Sequence, residues 1–150
     1  MGSVAGVVYA GGVLYCVTEE AMSTEENMAI ARRLTEAANA QDDDAFDQLM
    51  TPEQAQQAKG TMRRVYATFE GHHFDIVDMV AEGDKVITRI TSRGGHSGDF
   101  EGVPPTGKQW TAKGFTYHRV ESGKVMEYDA TVDALGHLKQ LGATITPPVE

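Results

Sequence analysis

The 150-residue chain contains one cysteine, Cys16, so it carries neither an internal disulfide framework nor a cysteine-built metal centre. Basic residues are scarce: 13 Lys and Arg face 22 Asp and Glu, a formal net charge of −9. A surface of that sign repels phosphate backbones, which argues against nucleic acid as a partner. No apolar run reaches the ~20 residues that span a bilayer, so no membrane association is expected. The five histidines include no His-x-x-x-His pair, and no metal is expected. What remains is 41% hydrophobic and 23% charged, the balance of a globular protein. A chain of this length forms one domain that buries roughly 70% of its unfolded surface.

Residues 1–21 differ from the rest. Val4 to Val17 is apolar, Gly-rich and uncharged. A secretory signal would place basic residues before this run and small residues after it, but Glu19 and Glu20 follow instead. The expectation is an extension ahead of a start-like Met22, with enough β-branched residues to add a strand to a sheet edge. The main domain is then 22–143, the tail 144–150, and the location cytoplasmic.

Ser23-x-x-Glu26 reads as a capping box, and Ile30, Ala31, Leu34, Ala37 and Ala38 behind it recur at helical spacing, giving a helix over 24–40. Asp42, Asp43 and Asp44 suit the start of a short helix ending near Met50. Thr51-Pro52 opens a third helix that runs to about Phe69. From residue 73 the period becomes two. Strands are expected at 74–80, 86–92, 108–120 and 124–133, with His72-His73 in an exposed turn or else at the cavity mouth, and Gly94-Gly95 in a connecting segment. A last helix covers 134–141. Helices first and antiparallel strands after them define an α+β domain with a concave space between the layers.

The segment His96-Ser97-Gly98-Asp99-Phe100-Glu101-Gly102-Val103-Pro104-Pro105-Thr106-Gly107-Lys108 resembles the signature of SnoaL-like polyketide cyclases, the "ester cyclase" proteins. Arg119-Val120-x-x-Gly123-Lys124-Val125-x-Glu127, then Asp133 and Leu138-Lys139-Gln140-Leu141-Gly142, are similar as well, as is the hairpin Ala81 to Arg89. The resemblance implies the cone-shaped, nuclear-transport-factor-two-like fold: three N-terminal helices on a curved antiparallel sheet, then a short C-terminal helix. It also implies a homodimer and a cofactor-independent acid/base enzyme of the cyclase or isomerase type. The substrate would be a small hydrophobic carbonyl-containing molecule. Hydrolysis, dehydration and non-catalytic ligand binding also occur on this fold.

Asp133 is the first catalytic candidate, because its family counterpart moves a proton in an intramolecular aldol closure. A carboxylate in an apolar hollow has a raised pKa suited to abstraction beside a carbonyl; the alternative role is an N-cap for the last helix. Asp129 shares a strand face with Asp133, about 13 Å along the strand, and stands where the family usually carries Trp. His118 could relay a proton if hairpin register turns it inward. Trp110, Tyr117 and Phe115 could shape a pocket or pack the core. His96 could touch substrate or hold its loop, and Arg89 could meet a substrate carboxylate or pair with an acid. Arg89 between Asp129 and Asp133 would instead indicate epoxide opening.

Overall fold

The computed structural model describes residues 5–18, 22–144 and 146. Two short strands, β1 (Ala5–Ala10) and β2 (Val13–Thr18), form an antiparallel hairpin through the Gly11-Gly12 turn. The hairpin is its own two-stranded sheet and does not extend the edge of the larger one. Three helices follow: α1 (Thr24–Ala40), α2 (Asp43–Leu49) and α3 (Pro52–Thr68). The four-stranded antiparallel sheet runs β3 (Phe69–Glu82), β4 (Lys85–His96), β5 (Gln109–Glu121) and β6 (Lys124–Val132) in sequence order. The chain then turns into α4 (Ala134–Leu141). The nuclear-transport-factor-two-like α+β architecture expected from the sequence is the one found.

Each helix starts where its capping residue allows. Ser23 and Glu26 make the reciprocal capping box of α1, Asp42 caps α2, and Thr51 caps α3 ahead of Pro52. The apolar stripe of α1, with Ile30, Leu34, Ala37 and Ala38, packs with Phe46, Leu49 and Met50 of the α2 region and with Val120 and Val125 of the sheet. Asn39 fastens this layer to β3: its side chain accepts from Phe74 N–H at 2.8 Å and donates to Phe74 C=O at 2.9 Å.

Two sheet boundaries differ from the sequence expectation, and glycine explains both. His72-His73 is not a turn, because α3 runs straight into β3 and the strand bulges between Glu70 and His73. Gly71 adopts φ +59° there, a left-handed conformation that costs glycine little. The inserted residue puts Phe69 and His72, three positions apart, on the same buried face. Gly94 and Gly95 lie inside β4 rather than in a connection. A Cβ on Gly94 would meet the Glu70 carbonyl oxygen and the His72 Cα at 3.3 Å, so glycine marks close strand approach here.

Candidate active site

Strand β5 alternates strictly, turning Trp110, Ala112, Gly114, Thr116, His118 and Val120 toward the helices. Several of these inward side chains are small where a filled core would carry leucine or isoleucine. Gly114 is required for another reason: a Cβ would sit 2.6 Å from the Thr131 carbonyl oxygen, so the end of β6 crosses it closely. The result is a cavity of about 310 Å³ between helices and sheet. Leu34, Ala38, Ala58, Met62 and Val65 form its helical wall, and Ile90, Ala112, Ala130 and Val132 part of its sheet wall.

The described lining residues include no Asp, Glu, Lys or Arg. Three imidazoles and the Tyr128 phenol supply the cavity's titratable groups. His118 is 2% exposed, its Nδ1 is buried without a hydrogen-bond partner, and its ring lies 5.2 Å from that of Tyr128. Burial pushes its pKa down to about 4, so the ring is neutral at pH 7. Burial raises the Tyr128 pKa, with the Asp129 charge adding to it, and the phenol stays protonated. Thr116, also lining the cavity, has a buried hydroxyl without a partner.

At the far end of β5's inward row stands an aromatic corner. His137 of α4 stacks on Trp110 at 3.8 Å and on Phe100 at 4.6 Å, with Phe69 5.0 Å away. His72 meets Phe74 edge-on at 4.4 Å and lies 5.6 Å from Trp110. Both imidazoles are pushed down to about 4, chiefly by burial. Nearby histidines add to it, His73 and His137 for His72, and His96 for His137. The sequence does not single out His137, and it offers His72 an exposed turn or the cavity mouth, whereas the residue lies buried in the cavity wall. The available signals were Gly71, which marks the bulge, and the i, i+4 pairing of His137 with Leu141 on the buried face of α4.

Of the residues expected at the site, the cavity receives His118 and Trp110. Asp133 is exposed, and its side chain accepts the Gly136 N–H at 2.8 Å, capping α4. Asp129 is also exposed, on the outer face of β6, and its carboxylate accepts the Ala130 N–H at 2.8 Å; Asp133 lies beyond the end of that strand. Inward positions on β6 belong instead to Tyr128, Ala130 and Val132. Arg89 also lies outside, with its guanidinium 3.9 Å from Asp78, so no Asp-Arg-Asp arrangement forms with Asp129 and Asp133. Phe115 is exposed and borders a shallow outer groove with Arg89, while Tyr117, half-buried, alternates outward beside it. His96 is fully buried outside the cavity lining, where its Nδ1 accepts the Thr106 N–H at 3.2 Å and holds the signature loop.

Comparisons with known proteins agree with this fold. "Aklanonic acid methyl ester cyclase DnrD" of Streptomyces peucetius is 29% identical over 77 residues, 51% of this chain and 53% of that protein. The chain thus matches about half the length of this curated relative. IdmH, described as a putative polyketide cyclase from Streptomyces antibioticus, superposes with a TM-score of 0.71 at 27% identity, covering 78% of this chain and 99% of that one. TsrD from Streptomyces laurentii shares the fold, with a TM-score of 0.75 at 24% identity over 82% of this chain and 99% of that one. Residues 28–141 match the family described as SnoaL-like polyketide cyclase, and the chain belongs to that family.

Proposed function

We propose that the protein is a cofactor-independent acid/base catalyst of the cyclase or isomerase type, with His118 as its proton carrier. The substrate is a small hydrophobic molecule that loses a proton from carbon beside a carbonyl. One observation carries this reading: a buried neutral imidazole on the wall of a cavity whose described lining residues include no Asp, Glu, Lys or Arg.

A ring whose pKa is near 4 is a weak base at rest, yet its lone pair is free at neutral pH. As the proton leaves carbon, negative charge develops on the enolate. In a low-dielectric hollow that charge favours the imidazolium, so the basicity of His118 rises along the reaction coordinate. The Tyr128 phenol, kept protonated by burial, can donate a hydrogen bond to the developing oxyanion. The imidazolium then returns its proton to the new alkoxide after ring closure, or to another carbon in an isomerisation. Asp133 serves α4 as its N-cap in this scheme.

Aklanonic acid methyl ester, named in the description of the relative DnrD, is the first substrate to test. His118→Phe is expected to lower turnover by about 10²–10⁴-fold with the fold retained. An unchanged rate in that variant overturns the assignment.

Assembly belongs to the same proposal. The outer sheet face exposes Val80, Ile87 and Phe115, which border one shallow groove, with Val80 at 61% and Phe115 at 48%. This apolar surface fits self-association as a homodimer.

A further inference from the structure

We infer that the Trp110–His137–His72 corner is an oxygen-binding subsite, distant from the proton carrier, that holds a second oxygen of the substrate and sets its register in the cavity. The inference rests on the cavity being the reaction site.

Trp110, His137 and His72 are each more than nine-tenths buried, and all three line the cavity. Each has a ring nitrogen that no protein atom satisfies: Nε1 of Trp110, Nε2 of His137 and Nδ1 of His72. Unpartnered buried polar atoms in a native fold call for an explanation, because each costs about 1–3 kcal/mol if nothing pairs with it. Three gathered in one aromatic cluster, with Trp110 3.8 Å from His137 and 5.6 Å from His72, point to a ligand.

The donor chemistry defines that ligand atom. Indole N–H only donates, and a neutral imidazole carries one N–H beside one lone pair. A carbonyl, phenol or enolate oxygen can accept from these groups. The surrounding rings, Phe69 and Phe100, suit a flat apolar skeleton around that oxygen.

Position separates this corner from the proton chemistry. Trp110 and His118 are inward residues eight positions apart on β5, at most about 26 Å of strand. The ring neighbour of His118 is Tyr128, whereas His137 contacts Phe69, Phe100 and Trp110. A substrate oxygen fixed in the corner therefore places a more distant carbon before His118. His137 is a positioning residue in this arrangement, and its loss misplaces the substrate rather than removing the base.

The test uses 1-tetralone, a fused-ring ketone, beside tetralin, the hydrocarbon of nearly the same shape. The intact protein should bind the ketone about tenfold more tightly, the value of one good hydrogen bond. The carbonyl stretch of bound ¹³C-labelled tetralone should lie below its frequency in an apolar solvent. His137→Phe and Trp110→Phe keep a ring in place, and tetralin affinity in each reports whether the cavity is intact. Either variant should reduce the preference for ketone and move the carbonyl band back up.

Equal affinity for the two probes, or no ketone binding up to its solubility limit, overturns the proposal. Loss of the preference in Tyr128→Phe but not in His137→Phe also overturns it, because the oxygen would then sit beside His118. His118→Phe separates this inference from the catalytic one. If the corner acts as inferred, that variant keeps the ketone preference whether or not turnover survives, and loss of the preference there refutes the corner.

Discussion

Acidification is the perturbation that bears most directly on the buried imidazoles. His118 is neutral in the fold because burial lowers its pKa from 6.5 to about 4. The unfolded chain takes up a proton at this ring below about pH 6.5, while the native protein does not until about pH 4. Stability contributed by the neutral ring is therefore complete above pH 6.5 and falls as pH drops toward 4. Linkage with these two values makes the protein about 2 kcal/mol less stable at pH 5 than at pH 7 from this ring alone. The sign is the same for His72 and His137, so unfolding near pH 5.5 should take up between one and three protons. The assay is urea denaturation at several values between pH 5 and 7, a window in which exposed carboxylates stay ionised. His118→Phe removes the titration at nearly constant volume, and its stability should fall about 2 kcal/mol less over that range. The same pH dependence in both proteins, or an NMR titration of His118 centred near 6.5, refutes the reasoning.

Other substitutions probe separate parts of the account. Asp133→Ala should cost about 1 kcal/mol through loss of the α4 cap, while Asp133→Asn, an equally good cap, should change stability by a few tenths at most in denaturant titrations. Gly71→Ala forces a Cβ into the φ +59° bulge and should cost about 1–2 kcal/mol by thermal unfolding. If the bulge sets the position of His72, the NMR shifts of that ring should change as well. Phe115→Glu places a charge in the exposed outer face and should convert a dimer to a species near 16 kDa in size-exclusion chromatography. A native protein that already elutes at that mass removes the dimer proposal.

The architecture was legible because its punctuation is local. Ser23-x-x-Glu26, Thr51-Pro52 and the period-two runs after residue 73 act over a few residues, and each element formed near its expected place. The cavity was harder to read because parity in a strand is a tertiary property. β6 ends at Val132, one residue short of Asp133, and carries Tyr128, Asp129, Ala130, Thr131 and Val132 in a row with little contrast between its two faces. Only pairing with β5 decides which face is buried, and a one-residue shift reverses it. The same parity turned His118 inward and left Phe115 and Tyr117 outward. His72 was hidden by a bulge that breaks the alternation, and His137 by its place in a short helix, where a single histidine looks like any other polar residue.

Exchange in deuterated water of the carbon-bound protons of a fused-ring diketone, long enough for one carbonyl to occupy the Trp110 corner while the other lies before His118, tests the role of His118 most directly, since it reads proton transfer without requiring the natural substrate. The account predicts that the protein accelerates deuterium incorporation, that His118→Phe loses the acceleration, and that Asp133→Asn retains it. Acceleration that survives in His118→Phe and disappears in Asp133→Asn would contradict it.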